Sequence, residues 1–75
     1  MNFGVALELL KAGEKVARAG WNGKGMWIVL IPGDIRADNG IMMPCIGMKT
    51  AQGAMQPGWL ASQADLLADD WEAVP

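Results

Sequence analysis

The chain has no histidine and no tyrosine, and only one cysteine and one phenylalanine in 75 residues. Each scarcity removes a class of chemistry. Without histidine, acid–base catalysis would fall to carboxylates, lysine or the single thiol. One thiol and no imidazole make no structural zinc site, so no metal is expected. A lone Cys45 cannot form an intrachain disulfide; in its apolar surroundings it reads as a small buried hydrophobe. Basic residues are also few. Six Lys and Arg stand against eight Asp and Glu, for a net charge of −2. A nucleic-acid polymer normally needs a basic face and is not an expected partner, although one or two local cations can still hold a small anion. No apolar run reaches the roughly 20 residues of a membrane span, so no membrane partner is expected. No basic segment followed by an apolar stretch marks a signal peptide. A reduced, cytoplasmic setting is the expectation, and neither repeats nor low-complexity segments occur.

What is present is a 52% hydrophobic composition with four Trp and six Met, in a chain of one domain, residues 1–75. A chain this short buries only about 60% of its unfolded surface. Small scaffolds commonly make up the deficit with disulfides, a metal or a partner subunit. The first two are absent here, so a homo-oligomer is expected.

Asn2 is placed to cap a helix over "FGVALELLKAG". Phe3, Ala6, Leu7 and Leu10 recur at helical spacing, Val5 and Leu9 widen the stripe, and Gly13 is placed to end it. "EKVARAG" reads as a strand with Val16 and Arg18 on one face. "GWNGKG" has hairpin-turn composition, with Asn22-Gly23 the signal of a two-residue type I′ turn, and "MWIVLI" is the next strand. "GDIRADNG" reads as a loop. "IMMPCIGMK" resumes as a strand with Pro44 at an edge or an irregular start. "TAQG" is a second turn, and "AMQ" is a short strand broken by Pro57-Gly58. "SQADLL" carries a capping box, with Ser62 as N-cap and Asp65 reaching back, for a short helix ending around Ala68. "DWEAV" closes as a strand. The expected fold is α+β: an N-terminal helix packed on a small, mostly antiparallel sheet, with a short second helix near the C-terminus.

Catalysis is poorly supplied, and no catalytic residue or cofactor is assigned. Asp65, Asp69, Asp70 and Glu72 cluster in sequence, as carboxylates on solvated faces commonly do; an enzyme acting through them is the weakest reading. Asp34, Asp38 and Asn39 lack the spacing and the later Glu of a calcium loop. "GKG" lacks the upstream glycine and following Ser/Thr of a P-loop.

Binding is better supplied. Nucleobases stack on aromatic faces, glycines let backbone amides approach phosphates, and Lys24 and Arg18 offer charge. Trp27, inside an apolar strand, reads as core. Trp71 reads equally as core or ligand contact. Trp59, after Pro-Gly, reads as a loop anchor or an oligomer contact. Trp21, at the mouth of a turn, is the tryptophan best placed for a ligand. Met42, Met43, Met48 and Met55 read as gap fillers. On the residues alone, ligand binding and pure structural assembly stand level.

The strings "MNFGVALELLKAGEKVARAGWNGKGMWIVLIPG" and "MKTAQGAMQPGWLASQADLLADDWEAV" together resemble the Thoeris anti-defence protein two family of small phage and prophage proteins. The likeness covers nearly the whole chain, with "DIRADNGIMMPCIG" non-diagnostic. The pairing of the "GWNGKGM" unit with the C-terminal motif is what makes it specific. The resemblance implies a sponge protein rather than an enzyme. Such a protein binds the glycocyclic ADP-ribose made by a bacterial TIR-domain enzyme, without cleaving it, so that the downstream effector is not activated. It further implies a homotetramer in the bacterial host cytoplasm with pockets between subunits, and in some members separate sites for cyclic dinucleotides. Carried over to this chain, the glycine-turn motif implies ligand contacts at Trp21, Asn22 and Lys24. The C-terminal motif implies them at Ser62, Gln63, Asp65 and Trp71. Trp21 and Trp71 would stack on or flank the adenine, Asn22 and Asp65 would meet ribose hydroxyls or a base edge, and Arg18 would meet a phosphate. Asp65 has a competing task in the capping box. The alternative reading is a small phage structural or adaptor oligomerisation module with no small-molecule ligand.

Overall fold

The computed structural model describes all residues except Gly23, Asp34, Ile35, Asp38 and Asn39, and the side chains of residues 36 and 37. The Asn22-Gly23 turn type and the rejected calcium loop therefore lie outside the described residues. In chain order the elements are α1 (Phe3–Lys11), β1 (Lys15–Arg18), β2 (Trp27–Ile31), β3 (Arg36–Ala37), β4 (Gly40–Ile41), β5 (Cys45–Lys49), β6 (Met55–Pro57), α2 (Gln63–Leu67) and β7 (Trp71–Val74). Five strands form one sheet in the order β6-β5-β2-β1-β7, every pairing antiparallel. The expected α+β architecture, with an N-terminal helix and a short second helix near the C-terminus, is the one observed.

Local signals account for the helices. The Asn2 side chain accepts from the Val5 amide at 3.0 Å, filling one of the donor positions that a helix start leaves open. Ala6 and Leu10, four residues apart, are fully buried against the sheet, with Phe3 and Leu7 beside them. Val5, expected to widen that stripe, is exposed. Gly13 follows the helix at φ 89°. At α2, Ser62 and Asp65 form the reciprocal capping box, and the helix ends at Ala68.

The chain runs from Arg18 to Trp27 through residues 19–26, a connection longer than the two-residue hairpin that Asn22-Gly23 suggests. The segment expected as a loop carries a two-residue ladder, Arg36 opposite Ile41 and Ala37 opposite Gly40. Thr50 and Ala54 close the next hairpin, with the Thr50 amide donating to the Ala54 carbonyl at 2.8 Å. Gly58, at φ 81°, adopts a backbone conformation open chiefly to glycine. It turns the chain so that the Trp59 amide reaches the Ile46 carbonyl at 2.8 Å.

Alternation along the strands sorts the sheet into two faces. Val16 pairs with Ile28 and Ala73, Ile28 with Met48, and Arg18 with Trp71, all on the face that α1 covers. Val16, Ile28, Trp71, Ala6 and Leu10 form the core there. On the opposite face stand Lys15, Ala17, Trp27, Val29, Ile31, Cys45 and Lys49. Trp27 was expected in the core and is instead half-buried on this second face. The ammoniums of Lys15 and Lys49 lie 5.0 and 5.8 Å from its ring centre. The reason is register: Trp27 precedes Ile28 by one residue, and one residue reverses the face. Cys45 is only half-buried for the same reason. Of the four methionines expected as gap fillers, Met48 packs on the core while Met42, Met43 and Met55 are exposed.

Candidate ligand-binding site

The end of β1 and the start of β7 place Arg18 and Trp71 opposite each other under α2. Three indoles and one phenyl ring meet there. Trp71 lies at the centre, its ring 5.2 Å from Phe3, 5.4 Å from Trp21 and 6.2 Å from Trp59, the two tryptophan pairs nearly edge-on. Such edge-to-face packing suits the positive rim and negative face of aromatic rings. Trp71 is 2% exposed, so a planar ligand has no access to its ring in one copy of the chain. Trp21 is half-buried and packs its ring on Trp71 and Trp59, deeper than a residue at the mouth of a solvated turn.

Polar groups bridge this aromatic layer. Asp65 Oδ1 accepts from Arg18 Nη1 at 2.9 Å and from Trp21 Nε1 at 3.2 Å. Asp65 Oδ2 accepts from the Ser62 amide, and the Ser62 hydroxyl accepts from the Asp65 amide. The Trp71 indole donates to the Asp65 carbonyl at 2.9 Å. Asp70 completes the ring of contacts, its Oδ1 accepting from Arg18 Nε at 2.8 Å and its Oδ2 from the Gly20 amide at 2.8 Å. Among the described residues no buried side-chain polar atom lacks a partner.

Electrostatics follow the geometry. Burial would raise the pKa of Asp65, but the donors Arg18, Trp21 and Ser62 outweigh it and hold the carboxyl below its ordinary value. Asp70 is also held low, chiefly by Arg18. Arg18 is pushed up by its bonds to Asp70 and then Asp65. The cluster is a fixed pair of negative charges around one guanidinium. It holds structure together and has no group poised to give or take a proton near neutral pH.

Of the residues singled out in the sequence, Arg18, Trp21, Ser62, Asp65 and Trp71 are joined in this network. Asn22 and Lys24 are exposed and follow Trp21 in sequence; Gln63 is exposed on the first turn of α2. Asp70 belongs to the network and was read only as part of a solvated acidic run. Its two bonds reach 50 and 52 residues back along the chain, so no local signal marked it. Among the described residues one copy of the chain encloses no pocket.

A glycine-led loop anchored by an indole–carboxylate bond, and closed by a capping box from the far end of the chain, is the feature the two sequence motifs share. A family model described as a Thoeris anti-defense 2-like domain matches residues 1–74. The chain belongs to the Thoeris anti-defense 2 family. It is similar to the protein named Thoeris anti-defense 2 from Bacillus phage SP01, at 42% identity over 85 aligned residues that cover 99% of this chain and 94% of that relative. Family membership supports an anti-defence role in phage biology. Among the described residues no helix is long and apolar enough to cross a membrane, and none of the described carboxylates and thiols form a group that could hold a metal ion.

Proposed function

We propose that this protein is a sponge in the bacterial host cytoplasm, which binds a cyclic nucleotide-derived immune signal without cleaving it and so keeps the Thoeris effector inactive. Glycocyclic ADP-ribose is the first ligand to test, and a cyclic dinucleotide the second. Membership of the Thoeris anti-defense 2 family carries this reading. In support, the Trp21 ring is anchored on Asp65 while Asn22 and Lys24 nearby in sequence are exposed, giving a fixed aromatic edge with an exposed amide and an exposed ammonium in the same loop. Among the described residues one copy encloses no pocket, and the reading therefore places the ligand sites between subunits of a homotetramer. Within such a site Arg18, Trp21, Asn22, Lys24, Ser62, Gln63 and Asp65 are the residues nearest the ligand, and Trp71 is the buried support of Trp21.

The test is release of intact ligand. Protein in excess is incubated with glycocyclic ADP-ribose, separated from free ligand and heated to denature it. Sequestration predicts depletion of free ligand and recovery of the unaltered molecule on heating. A hydrolysed product would mean an enzyme, and no depletion would remove this ligand.

One observation favours the alternative of a structural or adaptor module: Trp21, Trp59 and Trp71 all serve the aromatic core. That reading predicts no saturable change in tryptophan emission on addition of nucleotides. It also predicts that Trp21→Ala disturbs assembly rather than binding.

A further inference from the structure

We infer that Asp70 is the positioning residue for the loop that carries Trp21, Asn22 and Lys24, and that position 20 is glycine because the Asp70 carboxylate occupies the space of a side chain. The inference rests on the proposed function for what the loop binds, but the lock itself is a matter of contacts. Asp70 holds three successive residues of this stretch. Its Oδ1 takes Arg18 Nε at 2.8 Å, its backbone carbonyl takes the Ala19 amide at 3.0 Å, and its Oδ2 takes the Gly20 amide at 2.8 Å. The Trp21 amide then donates to the Arg18 carbonyl at 3.2 Å, and its indole is fixed on Asp65. The chain is thus fastened residue by residue from Arg18 to Trp21, immediately before the exposed Asn22.

Gly20 shows why the fastening is specific. Its φ lies outside the left-handed region occupied by Gly13, Gly25, Gly40, Gly53 and Gly58, so its backbone conformation does not call for glycine. A Cβ at this position would stand 2.8 Å from Asp70 Oδ2 and 3.5 Å from Arg18 Nη2. The first distance is too short for a carbon against a carboxylate oxygen that is already bonded to the same residue's amide. Glycine is therefore set by the approach of Asp70, across 50 residues of sequence. A loop held in its bound conformation loses less freedom on binding, and the gain appears as affinity.

Three variants test this: Asp70→Ala, Gly20→Ala and the double substitution. The readouts are hydrogen exchange of the Gly20 and Trp21 amides without ligand, thermal stability, and affinity for glycocyclic ADP-ribose. Each single variant is expected to stay folded with Trp71 buried, to exchange faster at Gly20, and to bind about tenfold more weakly. The double variant should match Asp70→Ala, because once the carboxylate is gone the Cβ keeps only an ordinary van der Waals contact, to Arg18 Nη2 at 3.5 Å. A spectroscopic signature separates this from a general loss of structure: the Gly20 amide resonance should titrate with the Asp70 carboxylate in the wild type and not in Asp70→Asn. Unchanged exchange in Asp70→Ala, or fully additive losses in the double variant, overturns the lock. Faster exchange with unchanged affinity overturns the positioning role. Where the wild type itself takes up no ligand, the proposed function falls, and the exchange and titration results still decide the lock.

Discussion

The carboxylate of Asp65 takes hydrogen bonds from β1, from the loop after it and from the start of α2. Its replacement by alanine leaves a guanidinium, an indole and an amide short of an acceptor, and an unmet polar group in a part-buried setting costs about 1–3 kcal/mol. The pH dependence has a definite sign. Folding lowers the pKa of Asp65, because its donors outweigh burial, and that of Asp70, chiefly through Arg18. A carboxylate with a depressed folded-state pKa contributes stability above its unfolded value, near 4, and the contribution is lost as pH falls through the folded value. Arg18 faces both carboxylates, and its raised pKa adds nothing in this range, since it is protonated in both states. The unfolding temperature is therefore expected to hold from pH 7 to pH 5 and to drop below about pH 4. Asp65→Asn should lower stability at pH 7 and flatten that acid limb. Melts followed by circular dichroism check this, and an acid limb of equal depth in wild type and variant would remove Asp65 as its source.

At the scale of elements, α2 has five residues, far too short to hold as an isolated helix, so its cap and its docking must supply what length does not. Ser62→Ala should cost about 1 kcal/mol, read as a lower urea midpoint at unchanged slope, and Ser62→Asp, which keeps an acceptor, should recover most of it. An unchanged midpoint in Ser62→Ala would mean that docking alone holds the helix. These same elements show what a sequence displays. The capping box, the Asn2 cap, the apolar period of α1 and the strands around "MWIVLI" and "DWEAV" are legible because their cause lies within a few residues. The two-residue ladder of β3 and β4 is too short to leave a pattern. Trp27 could be seen to lie in a strand, but which face α1 covers depends on the register of β2 with β1 and β5. The candidate site was legible by residue type and not by role. Trp21 and Asp65 were singled out from their motifs and Arg18 for its charge, while their bonds to one another span 44 to 47 residues. Asp70, whose partners lie further still, was missed.

The whole molecule is looser than its size predicts. A folded chain of 8.0 kDa is expected to expose about 4,450 Å², whereas this one exposes 5103 Å². Its radius of gyration is 12.7 Å, against about 11.3 Å for a compact chain of this length. The excess has visible sources. Among the described residues no helix lies over the half-buried sheet face of Trp27, Val29 and Ile31, and Leu60, just before α2, and Leu67, within it, are 89% and 76% exposed. A tetramer of dihedral symmetry uses two different self-complementary patches, and for the proposed homotetramer the half-buried sheet face and the leucines around α2 are the candidates. That proposal predicts a light-scattering mass of about four times 8.0 kDa at micromolar concentration. Leu67→Glu should halve that mass by placing a charge in one interface. Val29→Glu should halve it through the other. In a free copy that glutamate would be tolerated, because the pairing of Val16 with Ile28 puts Lys15 beside position 29. The two substitutions together should give a monomer that keeps the emission of its buried Trp71. A wild-type monomer mass would remove the assembly altogether. A tetramer that survives both charges would place its interfaces elsewhere on the chain, and with them the residues that complete the ligand site.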